Sequence, residues 1–437
     1  MDYYLMIIKG KTIISRFVFR IVSMWIMFFA FVHYSLRRKS VQRRLRMGLL
    51  DIEFFHKNAG GFGGYGIIAK NICTYFNSRK KGINVEVILT RDARKPLLKR
   101  LHKADVIIAP DSENSNLIHM MNYARMLNQR SYSFLMTVEY SVNYRYTLFL
   151  LPKVPLIIWI NDPRPKDCLK KISTVSLEVE LRMLKGKNDI LEHTFNIRES
   201  INKIIKFSKI FKRKIIFATT SYFLIERARR AYNLCDIEAI WLPIPIEVPN
   251  IEEIKYSSKP TVCFLARLDP QKRPWIFFEL AKLFPRVNFL VAGITHFPYL
   301  MKPIIKRYES IPNLKFLGLI TGEEKHKLLS STWVLINTSI HEGLPVSFLE
   351  AFSYGKPIIS CQNPDNLVEK FGIYTGEILG DGYDNITIEK FANALDKLLS
   401  NKYVRMEKGI KARKYIQENY SFEEFAKVLK EIIKKLI

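Results

Sequence analysis

The feature that most constrains the fold is an alternation of short apolar segments with longer amphipathic ones, which occurs in two runs. The first run contains GLLDIEFFH, INVEVIL, ADVIIAP, VPLIIWIND and KIIFATTS, and the second contains TVCFLAR, VNFLVAG, LKFLG and WVLINTS. Strand-like segments that alternate with helical patterns are typical of parallel sheets whose strands are joined by helices. The sequence therefore predicts an α/β protein with two doubly wound sheets.

A proline-rich stretch, WLPIPIEVPNIEEIKYSSKP, separates the two runs. Proline lacks a backbone N–H, so it is excluded from central strands and helix interiors. We predict an N-terminal domain at 47–245, a linker at 246–260, a second domain at 261–415 and a C-terminal helix at 416–437 that packs back on the first domain. Ser421 and Glu424 form a capping box for that helix. Two similar domains joined by a linker imply a cleft between them.

Residues 1–46 have a different character. The segment IVSMWIMFFAFV, at 21–32, is apolar except for one serine, and basic residues flank it on both sides. A spanning helix needs about twenty apolar residues, so a membrane anchor that spans, one that lies on the surface, and a helix packed on the protein itself all stay open. The larger basic cluster follows the apolar segment, which predicts a protein body on the cytoplasmic face, next to an anionic membrane surface.

The chain carries 69 Lys and Arg against 41 Asp and Glu, a formal net charge of +28. This charge favours an anionic partner, either nucleic acid, anionic lipid or a phosphorylated substrate. RNP-like aromatic segments, zinc-finger spacings and basic heptads are absent from the sequence, so a basic nucleic-acid-binding protein is only the alternative, and we expect no nucleic-acid partner. The five cysteines show no CxxC pair or metal-ligand spacing, which predicts reduced thiols and no metal.

The segment FLARLDPQKRP places two cations where a strand gives way to a helix. Arg267 follows the strand directly, and Lys272 precedes a helix that we predict to begin near Pro274. Arginine offers a two-pronged donor, lysine a point charge and the helix N-terminus a partial positive charge. Together they predict a receptor for a diphosphate. The alternative is a solvated basic loop.

The segment HEGLPVSFLEAFSYGKPIIS carries two glutamates at the mouth of a predicted helix. Glu342 lies in the loop and Glu350 lies beyond the first turn, where their carboxylates can accept hydrogen bonds from sugar hydroxyls. Gly343 permits close backbone approach, and its amide and that of Leu344 are expected to point toward an anion. The alternative is a capping glutamate and an ordinary helix glutamate.

These segments resemble a known family. EGLPVSFLEAFSYGKPII resembles the E-x7-E signature of retaining glycosyltransferases of family four, and FLARLDPQKRP resembles that family's phosphate-binding segment. AGGFGG is similar to its N-terminal glycine loop, and ATTSYFLIERARRAYNL is similar to the end of its N-terminal domain. The resemblance covers about residues 47–437 and is weakest between Pro110 and Arg213. It implies the GT-B fold, with two Rossmann-like domains that face each other across a cleft.

The resemblance also implies an activity, which is sugar transfer with retention from a nucleotide-diphosphate sugar to a glycan, polysaccharide or lipid-linked acceptor. No cofactor or metal is expected, and no DxD triplet occurs in the sequence. Arg267 and Lys272 would hold the diphosphate, Glu350 the ribose and Glu342 the transferred sugar, with Arg267, Lys272 and Glu342 as the catalytic residues. The glycine loop would approach the diphosphate or the acceptor through Gly61, Gly63 and Gly64. The alternative is a catalytically silent GT-B scaffold.

The sequence departs from the family at one point. Members often carry a histidine after the mid-domain strand, whereas IIWINDPRP has Asn161 and Asp162 and no histidine. We keep Asn161 and Asp162 as candidates for binding the sugar or the acceptor. His56 and His341 are the histidines nearest to the glycine loop and the glutamate motif, and a lone histidine at a strand end is more often structural.

Overall fold

The computed structural model describes residues 44–54, 63–78, 82–93, 97–110, 117–184 and 192–437. The predicted N-terminal hydrophobic helix, His56 and Gly61 lie outside these ranges. Within the described ranges, no helix is both long and apolar enough to cross a lipid bilayer.

The first sheet has eight strands. They are β1 (Leu45–Asp51), β2 (Ile83–Ala93), β3 (Leu97–Leu101), β4 (Ala104–Pro110), β5 (Phe134–Val138), β6 (Leu156–Ile160), β7 (Ile215–Thr219) and β8 (Ala239–Trp241). Their order across the sheet is β3-β4-β2-β1-β5-β6-β7-β8. β1 pairs in parallel with β2 on one side and with β5 on the other, whereas β3 runs antiparallel to β4. The chain therefore leaves β1 in one direction and later returns to its other side, which makes a topological switch point between β1 and β5.

Within the described residues, seven α-helices occur between these strands along the chain. They are α1 (Gly64–Ser78), α2 (Leu117–Asn128), α3 (Arg145–Leu150), α4 (Lys166–Ile172), α5 (Ser176–Leu184), α6 (Glu192–Ile210) and α7 (Phe223–Tyr232). Helix α1 buries Ile68, Ile72, Cys73 and Phe76 on one face, which is the helical spacing of its apolar residues.

The second sheet has six parallel strands. They are β9 (Thr261–Leu265), β10 (Asn288–Ala292), β11 (Leu314–Gly318), β12 (Val334–Asn337), β13 (Ile358–Ser360) and β14 (Ile373–Tyr374). Their order is β11-β10-β9-β12-β13-β14, which is the strand order of a Rossmann fold. The switch point of this sheet lies between β9 and β12.

In the described chain, eight α-helices accompany the second sheet and the C-terminal part of the chain, and two of them begin where the sequence predicts. They are α8 (Pro274–Leu283), α9 (Pro298–Lys306), α10 (Glu323–Ser331), α11 (Val346–Ser353), α12 (Leu367–Phe371), α13 (Asn385–Ser400), α14 (Lys402–Asn419) and α15 (Phe422–Leu436). Helix α8 begins with Pro274 as predicted, because proline at the first position has a suitable φ and needs no donor. The backbone N–H of Glu424 donates to the Ser421 hydroxyl ahead of α15, which is the predicted cap.

The described residues divide into two units by their contacts. The first unit contains the described residues up to Trp159, together with Ile197–Phe217 and Ile432–Ile437, and the second contains Ile160–Asn196 and Ala218–Glu431. An apolar core in the second unit contains Phe264, Trp275, Phe277 and Phe289, all fully buried. The predicted domain limits and the docking of the C-terminal helix stay predictions.

A buried lysine follows helix α11 in the second unit. The Lys356 ammonium donates to the Ser330 carbonyl at 2.8 Å and lies 3.2 Å from the centre of the Tyr256 ring. Burial lowers the pKa of Lys356 from 10.5 to about 7. Between these two values the unfolded chain binds the proton more tightly than the folded protein does, so the free energy of unfolding rises with pH across this window.

We therefore expect the Lys356 side chain to add about 2 kcal/mol to the free energy of unfolding as the pH rises from about 7 to about 9. The measurement is urea denaturation of the wild type and of Lys356→Met at both pH values. Methionine keeps the apolar stem and cannot titrate, so the variant should lack this increment. An equal pH dependence in the two proteins would show that Lys356 does not titrate in this range.

Candidate functional site

The candidate site lies at the switch point of the second sheet. Strands β9 and β12 are neighbours there, with Val334 level with Val262 and Leu335 level with Cys263. The loop after β9 carries Arg267 and Lys272, and the loop after β12 carries Glu342. In open parallel sheets, ligands bind outside the carboxyl ends of strands at such a point. The fold thus brings together two motifs that lie about seventy residues apart in the sequence.

Lys272 and Glu342 form a close ion pair. The Lys272 ammonium donates to Glu342 Oε1 at 2.6 Å, and the two side chains are only 12% and 11% exposed. The Asn337 amide lies 3.3 Å from the same oxygen. Burial alone would raise the pKa of Glu342, but the Lys272 ammonium and a hydrogen bond from Ser339 outweigh it and hold the pKa below its ordinary value. Glu342 is therefore a carboxylate that can accept hydrogen bonds.

Arg267 stands at the end of β9 in a more exposed position. Its Nη1 lies 3.1 Å from His296 Nδ1 and 3.4 Å from Asp269 Oδ2, and its side chain is about one third exposed. Asp269 accepts from the backbone N–H of His296 at 2.9 Å and from the Thr295 hydroxyl at 3.2 Å. The buried carboxylate thereby ties the loop after β10 to the loop after β9. Our sequence analysis missed His296, although it follows a predicted strand at the same sheet edge.

The next basic residue, Arg273, has a different role. It has a left-handed φ of 45° and a fully buried side chain. Its guanidinium donates to the carbonyls of Thr338 at 2.9 Å, Gly380 at 2.8 Å and Ile378 at 3.1 Å. Burial lowers the pKa of Arg273. Because backbone carbonyls already occupy these donors, Arg273 holds the loop after β12 in place and is not offered to a ligand.

Glu350 is paired with a lysine that the sequence did not point to. Helix α11 begins after Pro345, and Glu350 lies just past its first turn, as predicted. Lys325 in α10 donates to Glu350 Oε1 at 2.5 Å, and the two side chains are 24% and 13% exposed. Each glutamate of the motif is therefore paired with a lysine ammonium.

A second polar cluster supports the loop that carries Glu342. His341 Nε2 lies 2.8 Å from Asp162 Oδ1, and Arg164 donates to Asp162 Oδ2 at 2.6 and 2.8 Å. Burial would raise the pKa of Asp162, but Arg164 and His341 outweigh it and hold this pKa well below its ordinary value. Burial lowers the pKa of His341, which is 2% exposed. Asp162 and His341 are thus engaged by each other through a partly buried hydrogen bond. Separately, the Arg227 guanidinium donates to the Glu342 carbonyl at 2.7 Å.

Gly343 and Asn161 meet through their backbones. A Cβ added to Gly343 would lie 2.1 Å from the Asn161 carbonyl oxygen, so only glycine fits here. The approach joins the Asn161–Asp162 segment to the glutamate loop, and Leu344 beside it is 6% exposed. The structure thus brings together Asn161, Asp162, Glu342 and Gly343, all of which the sequence singled out.

The described part of the glycine loop lies in the first unit. Gly63 precedes α1, which begins at Gly64, and a Cβ on Gly63 would lie 2.0 Å from Glu53 Oε2. The absence of a side chain at Gly63 therefore makes room for a carboxylate. In the described ranges of both units, no three His, Cys, Asp or Glu side chains come together as a metal ion would require.

Comparisons with known proteins fit this geometry. Residues 250–421 match the family model of glycosyl transferases group 1. The alpha-1,3/1,6-mannosyltransferase ALG2 of Dictyostelium discoideum is 31% identical over 136 residues, which are 31% of this chain and 31% of that protein. The UDP-Gal:alpha-D-GlcNAc-diphosphoundecaprenol alpha-1,3-galactosyltransferase of Escherichia coli is 31% identical over 151 residues, 32% of this chain and 37% of that protein. The chain thus spans about a third of the length of these two relatives.

Solved structures show the fold over nearly the whole chain. Sucrose-phosphate synthase from Thermosynechococcus elongatus superposes with a TM-score of 0.64 and 13% identity, over 90% of this chain and 99% of that one. HepE of Anabaena, solved with UDP-glucose, gives a TM-score of 0.60 and 14% identity, over 89% of this chain and 99% of that one. The described chain therefore has the GT-B glycosyltransferase fold with parallel-sheet α/β domains, as predicted.

Proposed function

We propose that this chain is a retaining glycosyltransferase that moves a sugar from a nucleotide-diphosphate sugar to a glycan, polysaccharide or lipid-linked acceptor. One observation carries the proposal. Arg267 and Lys272 lie at the switch point of the second sheet together with Glu342, inside the segment that matches the glycosyl transferase model. Cations for a diphosphate and carboxylates for sugar hydroxyls are the two kinds of group that a nucleotide sugar needs.

The diphosphate is held by positive charge at the end of β9. Arg267 provides a partly exposed guanidinium, and Lys272 provides an ammonium just before the N-terminus of α8. The helix N-terminus adds a partial positive charge. When the bond between the sugar and the diphosphate breaks, negative charge accumulates on the leaving oxygen. Groups already fixed at that position stabilise it without reorganisation, which is the main catalytic contribution here.

The two glutamates bind the hydroxyl-bearing parts of the donor. Glu350 accepts hydrogen bonds from the ribose, and Glu342, ionised because of its lysine partner, accepts them from the transferred sugar. We assign no protein nucleophile. The acceptor hydroxyl attacks the face that the diphosphate leaves, and the configuration at the anomeric carbon is retained.

We place the reaction at the cytoplasmic face of a membrane, with an anionic lipid surface as partner. The proposal rests on the apolar segment at 21–32 and the basic residues after it. The name of the E. coli relative, which acts on a sugar linked to diphosphoundecaprenol, supports a lipid-linked acceptor.

Calorimetry with UDP-, GDP- and ADP-sugars tests the donor assignment. UDP-sugars come first, because HepE was solved with UDP-glucose. We expect micromolar binding of one donor class. Arg267→Ala and Glu350→Ala should each weaken binding roughly ten- to a hundredfold, since each removes charge-assisted hydrogen bonds. Lys282→Ala is the matched control, because Lys282 lies on the exposed side of α8 and pairs with Glu279.

Two results would contradict the proposal. Full transfer activity in both Arg267→Ala and Glu350→Ala would remove the site assignment. A product with inverted anomeric configuration, read by NMR from a donor of known configuration, would remove the retaining mechanism.

A further inference from the structure

The switch point of the first sheet carries an acidic cluster that the proposed donor site does not use. In β1 and β5, Leu50 is level with Thr137. Asp51 is the last residue of β1 and Glu139 directly follows β5, so both lie at the carboxyl edge of the sheet. Glu53 follows Asp51, and its carboxylate lies against Gly63 at the start of α1. Open parallel sheets bind ligands at this position.

Three polar atoms in this cluster are buried without a hydrogen-bond partner in the described part of the chain, and one of them is Glu53 Oε2. The first oxygen of the Asp51 carboxylate accepts from the backbone N–H groups of Ile52 at 2.7 Å and Glu53 at 3.1 Å. The other oxygen, and the hydroxyl of Tyr144, have no hydrogen-bond partner within the described part of the chain, and both side chains are fully buried. A buried polar group without a partner is unfavourable and uncommon in folded proteins. Three such atoms at one sheet edge point to a ligand that supplies the missing hydrogen bonds.

Tyr144 is a hydrogen-bond donor at this position. Burial, and then the carboxylates of Asp51, Glu139 and Glu53, raise the pKa of Tyr144 well above its ordinary value. The phenol therefore keeps its proton and faces a set of acceptors. Donor and acceptor atoms side by side match a hydroxyl group, which both donates and accepts.

The backbone around the cluster is unusual as well. Glu139 has a left-handed φ of 63°, which is strained for a residue with a side chain. The backbone N–H of Tyr140 donates to Glu139 Oε1 at 2.9 Å and fixes the carboxylate in that position. Strained backbone concentrates at binding sites, where the surrounding structure holds a side chain in a required direction.

We propose that this cluster, defined by Asp51, Glu53, Glu139 and Tyr144, binds the hydroxyl groups of an uncharged sugar. The inference rests on the proposed function and specifies its acceptor, whose sugar at this site carries no phosphate or carboxylate. Burial, and then the nearby Glu53 carboxylate, raise the pKa of Asp51 to about 7, so this group is only partly charged near neutral pH. Glu53 and Glu139 add negative charge that disfavours an anion, even though the chain as a whole is strongly basic. Among the described residues, no three His, Cys, Asp or Glu side chains come together in a metal-binding arrangement at this cluster.

Two buried tyrosines in the first unit, one inside the cluster and one outside it, provide a test variant and its control. Tyr144 and Tyr123 are both fully buried, but the Tyr123 hydroxyl is bonded to the Thr147 hydroxyl at 2.7 Å. The probes are methyl glucoside, methyl mannoside and N-acetylglucosamine, compared with glucuronate and inorganic phosphate. Binding to the full chain is measured by saturation-transfer NMR, with binding of UDP-, GDP- and ADP-sugars measured by calorimetry on the same samples.

We expect at least one uncharged sugar to bind and glucuronate and phosphate not to compete with it. Tyr144→Phe should weaken that binding by about tenfold, because one hydrogen bond is lost, and should leave the melting temperature equal or higher. Tyr123→Phe should lower the melting temperature and leave sugar binding unchanged.

The sugar-binding measurement decides this inference, and calorimetry with the UDP-, GDP- and ADP-sugars decides the proposed donor assignment. If no uncharged sugar binds, or if Tyr144→Phe binds it as well as the wild type does, the acceptor site is wrong. If glucuronate or phosphate displaces the sugar with equal affinity, the charge argument is wrong. Sugar binding without binding of any UDP-, GDP- or ADP-sugar would keep the site and overturn the donor assignment.

Discussion

Lys272→Ala is expected to lower kcat/KM for sugar transfer by about a hundredfold to a thousandfold, the size of effect seen when one fixed electrostatic contact to a transition state is removed. Lys272 is the buried cation of the site, 2.6 Å from Glu342. Its loss removes a positive charge from the departing diphosphate and also leaves a buried carboxylate without its counter-ion. Steady-state kinetics with the donor identified by calorimetry measures the change, with Lys282→Ala as the control.

A double variant separates these two effects. Breaking a buried ion pair by removing one partner destabilises a protein by about 3–5 kcal/mol. Lys272→Ala combined with Glu342→Gln leaves no unpaired charge, so its free energy of unfolding should return toward the wild-type value while activity stays low. Recovery of activity in the double variant would mean that Lys272 serves only to neutralise Glu342.

Gly343→Ala is expected to destabilise the protein by about 3 kcal/mol or more and to abolish transfer, because it forces two backbone segments apart. The added Cβ would lie 2.1 Å from the Asn161 carbonyl oxygen, which no side-chain rotation can relieve. Movement of this loop displaces Glu342, which precedes it directly. Chemical denaturation and kinetics measure the two losses.

Gly376→Ala is the matched control for Gly343→Ala. Gly376 has a φ of 84°, and nothing lies within 4 Å of the position where its Cβ would be. Its replacement should therefore destabilise by about 1 kcal/mol through backbone strain alone, with activity intact. Equal losses in the two variants would contradict the close approach at Gly343.

Much of the second sheet could be predicted from the sequence, because each strand there is a short apolar run bounded by turn residues or by a helix signal. LKFLG is the strand Leu314–Gly318 as predicted, and Pro274 marks the start of α8. Three strands of the first sheet were missed, among them the three-residue strand AIW, now β8. FLMTV, now β5, is a continuous apolar run, which periodicity cannot distinguish from part of a buried helix. LLKRL, now β3, is an exposed edge strand, and its charged residues leave no alternation of apolar and polar residues that would predict a strand.

The sequence predicted which candidate residues lie together at the edge of the second sheet, and it did not predict their pairings. Arg267, Lys272 and Glu342 could be found because each follows a strand, and parallel strands end at one edge of a sheet. The partners Lys325 and His296 depend on how separate loops approach one another in space, which no local pattern encodes. Lys272 and Arg273 are adjacent basic residues that the sequence does not distinguish. In the structure, Arg273 has a left-handed backbone and a fully buried side chain.

The hydrogen bond between Asp162 and His341 shows the same limit. The sequence singled out both residues, but they lie 179 positions apart, and no spacing rule relates them. A carboxylate and a histidine that meet in this way stabilise a loop junction. That outcome agrees with the expectation that a lone histidine at a strand end is more often structural.

In the proposed donor site, the two lysine–glutamate pairs would disfavour the free phosphate anions that are abundant in a cell. An incoming anion must replace a carboxylate already in contact with Lys272 or Lys325. Orthophosphate or pyrophosphate could bind the lysine in place of the carboxylate, but neither would bring a hydroxyl donor for the displaced glutamate. A nucleotide sugar brings hydroxyl donors along with its phosphates, so it can occupy both halves of each pair at once. The glutamates would thus favour binding of an anion that is covalently joined to a polyol over binding of the free anion.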